Sequence, residues 1–321
     1  MGRKILGIIL LCLALLIIIS IPVALFTPVG GTVTNLFSPP TPTPTPRPVL
    51  TVRGTPPAIG SKIAYLVDDD TGNVLVNVKG RERVPMASTT KIMTAILTID
   101  KADLNQVVTI KQDAIDEAKV HNGSNAQLVV GDQIRLKDLL YALMLPSGDD
   151  AATAIADSVA GSQTQFVTMM NAYAKQLKLQ NTHYINADGL TYEGKDGKPD
   201  PNHYTTGEDL VKLTRYAMRN PLFAQIVQLQ KYVLPANGVH HAYDWETTDT
   251  MLSTYAGLTG VKTGFTGEAG YCLVFSAYSS GHRLVGAVLD AKDEEERFKD
   301  ASSLLDWAFA LPVLPPPAPK Q

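Results

Sequence analysis

Pro85-Met86-Ala87-Ser88-Thr89-Thr90-Lys91-Ile92-Met93-Thr94-Ala95-Ile96-Leu97 is the stretch that decides the fold. Ser88 and Lys91 stand three residues apart at the start of a predicted helix, Ser88 to about Ile99, so both project from one face. That spacing lets an amine approach a hydroxyl that is otherwise a poor nucleophile. A lysine normally titrates near about 10.4, so it serves as a base at neutral pH only where burial or a neighbouring cation lowers that value. A serine at a helix start also sets backbone N–H groups near a developing oxyanion. Alone, such a string reads equally as an ordinary N-cap followed by a solvated lysine. Two features argue for the chemical reading. The run Ile92–Leu97 has the character of a buried helix, and the string occurs once outside the N-terminal apolar run.

Two more strings follow in order. Ser147 lies in Met144-Leu145-Pro146-Ser147-Gly148-Asp149-Asp150, about sixty residues on, and Lys262-Thr263-Gly264 lies about 115 residues further. By itself the first is a helix cap after a proline break. The second, flanked by Gly260 and Gly267, is a strand whose glycines suit close approach of a ligand backbone, or simply a turn.

Around these strings the alternation of Ile63–Val67 and Val74–Val78, joined by a polar turn, predicts two strands. Leu136 to about Val159 reads as two helices broken at Pro146-Ser147-Gly148. Gln163–Leu179, Gly207–Arg219 and a short segment after Asn220-Pro221 also read as helical. Lys231–Pro235, Gly260–Phe265, Tyr271–Tyr278 and Arg283–Leu289 are strand candidates, and Asp293 to about Ala310 is a final helix. Strands at both ends with helices between them predict one sheet assembled from distant segments, with a helical region inserted.

The three strings, their order and their flanks resemble the active-site serine penicillin-binding proteins, above all the D-alanyl-D-alanine carboxypeptidases of low molecular mass. Leu139–Gly148, Gly260–Gly264, Asn186-Ala187-Asp188-Gly189-Leu190 and Ala269-Gly270-Tyr271-Cys272 fit the same pattern, and the resemblance spans roughly residues 58 to 311. It implies an α+β, β-lactamase/transpeptidase-like fold: a five-stranded antiparallel sheet flanked by helices, beside an all-helical subdomain. It also implies that Ser88 is the acylated nucleophile, Lys91 its general base and Ser147 a proton relay. Lys262 and Thr263 would hold the substrate carboxylate, and the N–H groups of Ser88 and Phe265 would form the oxyanion hole. Arg297, by its spacing to Leu304-Leu305, would help bind the carboxylate. The implied reaction removes the terminal D-alanine from peptidoglycan stem pentapeptides, with β-lactam antibiotics as covalent inhibitors and no cofactor or metal. The six histidines show no His-Glu-x-x-His spacing.

One position departs from the family pattern. Asp149 stands where asparagine is usual, and an ionised carboxylate only accepts hydrogen bonds whereas an amide also donates. A carboxylate there also favours a protonated neighbouring lysine, which cannot serve as base. A weakly active or non-catalytic peptidoglycan-binding homologue is therefore the alternative. A β-lactamase ranks lower, because no Glu-x-x-Leu-Asn string is found.

Ahead of this region, residues 1–4 carry Arg3 and Lys4, and residues 5–26 form an uncharged apolar run. As a helix its 22 residues rise about 33 Å, enough for a hydrocarbon core of about 30 Å. A cleaved signal peptide would have a shorter apolar region and a small-residue cleavage site, and Val23-Ala24-Leu25 matches that poorly. The expectation is an uncleaved anchor in the lipid bilayer, with the N-terminus inside a bacterial cell and the remainder outside. Residues 27–57, with Thr41-Pro42-Thr43-Pro44-Thr45-Pro46, read as a polyproline spacer, residues 58–311 as the catalytic domain, and residues 312–321 as a disordered proline-rich tail. A net charge of −3 argues against nucleic-acid partners, and two distant cysteines exclude a disulfide framework.

Overall fold

The computed structural model describes residues 49–194 and 196–314. Residues 1–48, which contain the expected anchor and most of the spacer, lie outside this range, as does most of the tail. Among the described residues no helix is long and apolar enough to cross a membrane.

In chain order the elements are β1 (Val49–Leu50), β2 (Ile63–Asp68), β3 (Val74–Val78), a 3₁₀ turn (Ala87–Thr90), α1 (Lys91–Lys101), β4 (Val107–Thr109), α2 (Gln112–Val120), β5 (Gln133–Arg135), α3 (Leu136–Met144), α4 (Asp149–Ala160) and α5 (Gln163–Gln176). Then come α6 (Gly207–Ala217), α7 (Pro221–Val227), β6 (Lys231–Leu234), β7 (Tyr243–Glu246), α8 (Met251–Thr254), β8 (Leu258–Thr266), β9 (Gly270–Ser279), β10 (His282–Ala291), α9 (Glu294–Phe309) and β11 (Val313–Leu314). The main sheet has five antiparallel strands in the order β3-β2-β10-β9-β8, so the N-terminal hairpin is closed against the C-terminal strands and β8 forms one edge.

Strand periodicity explains the two cores. In β2, Ile63, Tyr65 and Val67 join the core on the helical side, whereas Ala64 and Leu66 join the core that Leu304, Leu305 and Ala308 of α9 complete. Both faces are covered, so all six residues of β2 are buried. Helix α1 is apolar around most of its circumference and buried from Lys91 to Thr98, because α3, α4, α5, α6 and α7 all pack on it. Some helix starts follow ordinary capping chemistry: Asn220 accepts from the N–H groups of Leu222 and Phe223 ahead of Pro221, and Asp293 from that of Glu296.

Three local expectations need correction. Val49–Leu50, read as spacer, and Val313–Leu314, read as tail, pair antiparallel, and Leu50 is buried in the α9-side core; each is a short apolar couple among prolines. Lys231–Leu234 is a strand outside the main sheet, pairing instead with Tyr243–Glu246. Ser88 lies in the 3₁₀ turn, two residues ahead of Thr90, the N-cap of α1.

Candidate active site

The fold brings the three strings together. Lys91 Nζ, on the first residue of α1, donates to Ser88 Oγ (2.8 Å), to Asp149 Oδ1 (2.5 Å) and to the carbonyl of Asp188 (2.8 Å). Lys91 and Asp149 are 0% and 1% exposed in their side chains, so this ion pair lies wholly out of water. Ser147 precedes α4 in the left-handed region at φ 64°, a strained conformation for a residue with a side chain. Its Oγ is buried and has no partner among the described residues, although it lines the same cleft as Ser88.

Strand β8 forms the opposite wall. Gly264 lies against the turn that carries Ser88: a Cβ added there would come within 3.1 Å of Ser88 N and 3.2 Å of Thr89 N. Thr263 Oγ1 meets Thr248 Oγ1 at 2.5 Å. Lys262 is buried and donates to the Thr263 carbonyl (2.9 Å). Burial first, and then the charge of Lys91, pushes the Lys262 amine well below the usual lysine range. Phe265 is exposed on the edge, with its ring beside Tyr271. Arg297 reaches the cleft from α9, donating from Nη1 to the Gly264 carbonyl (3.3 Å) and from Nη2 to Glu294 Oε1 (2.5 Å). Its Nε has no partner among the described residues, and burial holds the guanidinium below its ordinary value.

The resulting cleft has a volume of about 300 Å³ and is lined by Ser88, Ser147, Asp149, Thr263, Phe265 and Arg297 among others; Lys91 and Lys262 are buried and do not line it. All eight residues singled out in the sequence thus converge on one place. The cleft also holds Asn122, Gly123, Ser124, Thr248 and Glu294, which carried no signal in the sequence because they arrive on loops and on a helix turn. The Asn122–Ser124 loop is fixed by the bond from Asp149 N to the Ser124 carbonyl (2.9 Å).

Asp188, quoted in the sequence only as part of a pattern, lies beside the ion pair. Burial, followed by the negative charge of Asp149, pushes its carboxyl up to about 7. Asp249, buried behind Thr248, is pushed up to about 6, chiefly by desolvation. The turn bearing Ser88 has its own support. The Ile185 N–H donates to His203 Nδ1 (3.1 Å), so the proton of the neutral ring sits on Nε2 and is donated to Thr90 Oγ1 (2.8 Å). Thr90 in turn donates to the Ala87 carbonyl (2.8 Å), and Ala87 itself has a φ of 47°. Among the described residues no His or Cys lines the cleft. Away from it, Asp68, Asp70 and His282 bring potential ligand atoms within 4.8 Å of one another, but the Asp68 carboxylate already accepts from Asp70 N–H and the Thr71 hydroxyl.

A hydroxyl in contact with a buried amine thus lies beside an edge strand bearing a lysine and a threonine, on a transpeptidase-like α+β fold. The D-alanyl-D-alanine carboxypeptidase family model (peptidase S11) matches residues 51–293, and the chain belongs to that family. It is 36% identical over 269 residues to the D-alanyl-D-alanine carboxypeptidase of Streptomyces sp. strain K15, covering 80% of this chain and 90% of that protein. It is 33% identical to the carboxypeptidase DacF of Bacillus subtilis over 78% of this chain, but spans only 62% of DacF. Among solved structures, the Streptomyces K15 DD-transpeptidase superposes with a TM-score of 0.74 at 35% identity, covering 80% of this chain and 100% of that one. The D-alanyl-D-alanine carboxypeptidase of Mycobacterium tuberculosis superposes with a TM-score of 0.70 at 30% identity, covering 82% and 96%.

Proposed function

We propose that this chain is a membrane-anchored serine D-alanyl-D-alanine carboxypeptidase that removes the terminal D-alanine of peptidoglycan stem pentapeptides through an acyl-enzyme on Ser88. The observation that carries the reading is the 2.8 Å contact between Lys91 Nζ and Ser88 Oγ inside the fold of this family. In the forward step Ser88 Oγ attacks the penultimate D-alanine carbonyl, and the free-amine form of Lys91, in equilibrium with the form ion-paired to Asp149, takes its proton. The Oγ–C bond forms, the C–N bond breaks, and the proton passes by way of Ser147 to the departing amine. Water then attacks the ester, returning Ser88 and releasing the shortened peptide. Lys262, Thr263 and Arg297 hold the terminal carboxylate, Asp149 contacts the substrate flank, and the N–H groups of Ser88 and Phe265 receive the oxyanion. β-Lactams acylate the same oxygen. Residues 5–26 anchor the protein in the bilayer, and the segment from residue 27 spaces the site from the membrane.

Fluorescent penicillin provides the test. Wild-type protein takes a covalent label found with the membrane fraction, and Ser88→Ala takes none; pentapeptide incubation releases D-alanine. No Ser88-dependent label on folded protein sinks the enzyme reading. One observation favours the second reading, a weakly active peptidoglycan binder: Lys91 spends its shortest contact on the Asp149 carboxylate rather than on Ser88. Labelling without D-alanine release would select it.

A further inference from the structure

A second and larger cavity, about 580 Å³, lies beside the cleft, and Leu190 lines both. The continuity is also one of chain: Ala87 and Thr266 line the larger cavity, and their neighbours Ser88 and Phe265 line the cleft. Strand β8 is an edge of the sheet, so an extended peptide can add to it as a further strand. With its reacting carbonyl at Ser88 and its terminal carboxylate toward Thr263 and Arg297, such a peptide runs antiparallel to β8. Its N-terminal remainder then passes Thr266 toward Glu268. Each extended residue spans about 3.3–3.6 Å, so the residue just before the scissile pair meets the mouth of the cavity.

The walls there combine apolar surface with an acid that has no ion-pair partner among the described residues. Pro85, Met86, Leu190 and Tyr192 offer aliphatic and aromatic contact. Glu268 is exposed at the rim, its Oε2 held by the Thr191 hydroxyl at 2.6 Å. The nearby cation Arg83 is committed elsewhere: it lies over the Tyr204 ring and donates to Asn181 Oδ1 (3.0 Å). We propose that this cavity receives the side chain of the stem residue preceding the scissile D-alanyl-D-alanine pair, an aliphatic chain ending in an ammonium that pairs with Glu268. The proposal rests on the carboxypeptidase reading and adds a specificity-determining residue to it.

The test uses the full-length protein and two peptides, Nα-acetyl-L-Lys-D-Ala-D-Ala with its ε-amine free or acetylated. Wild type is expected to favour the free amine by about fivefold in kcat/KM, the scale of a partly exposed ion pair. Glu268→Gln is expected to bring that ratio to about one by lowering kcat/KM for the free-amine peptide about fivefold. Equal rates in wild type, or a preference that survives Glu268→Gln, overturns the proposal. Penicillin labelling of Ser88 separates the two levels: an intact label with no amine preference removes only the Glu268 assignment, whereas no label in wild type removes both.

Discussion

Lys91 and Asp149 form an ion pair 2.5 Å long with almost no exposure to solvent, and the same lysine touches the Ser88 hydroxyl. A buried charge pair is held by its mutual contact and its remaining hydrogen bonds, and removing one partner strands the other. Asp149→Asn keeps an acceptor for Lys91 and supplies a donor to the cleft. Acylation by penicillin is therefore expected to be retained or increased in this variant, measured as the second-order labelling rate. Asp149→Ala, with no acceptor, is expected to lower unfolding stability by about 3 kcal/mol. Complete loss of labelling in a folded Asp149→Asn protein would show that the carboxylate itself takes part in the proton transfer.

What the sequence made legible was whatever is written in short-range order. The Ser88–Lys91 spacing, the Pro146 break before Ser147 and the strand around Lys262 each place a side chain by local rules, and the structure joins them. Long-range placement was not written there. Thr248, Asp249 and Glu294 enter or flank the cleft through tertiary packing of loops and of α9. Helix α2 went unseen because only Ala114, Ile115 and Ala118 of its residues are buried, too few for a clear apolar stripe. Strands β4 and β5 have three residues each, shorter than any alternation pattern can reveal.

Gly189 offers a test of how tightly the nucleophile's turn is held. Its φ is 95°, and a Cβ there would stand 1.9 Å from the Ala87 carbonyl oxygen, a backbone atom that cannot swing aside. Gly189→Ala therefore combines an unfavourable backbone conformation with a steric overlap next to Ser88. The expected result is a loss of about 2–4 kcal/mol in urea unfolding, with a penicillin labelling rate at least about tenfold lower in the protein that remains folded. Wild-type stability and labelling would show that the turn moves freely.

His203 makes the support of that turn sensitive to acid. Burial, the largest cause, with His183 and Lys91 adding to it, pulls the ring down to about 3 from an ordinary value near 6.5. The sign follows from proton binding: between those values the unfolded chain takes up the proton and the folded one does not, so acid favours unfolding. The stability contribution is present above about pH 6.5 and is lost as the pH falls through about 3, by up to ~5 kcal/mol. The neutral ring is also what accepts from Ile185 N–H and donates to Thr90, so protonation removes one bond of the chain leading to Ala87. His203→Gln keeps a donor and an acceptor but does not titrate. It is expected to be less stable than wild type at pH 7 and to lose less stability on acidification, so that urea midpoints at pH 7, 6, 5 and 4 converge. Midpoints that fall in parallel would assign the acid sensitivity to other groups and leave His203 a packing residue only.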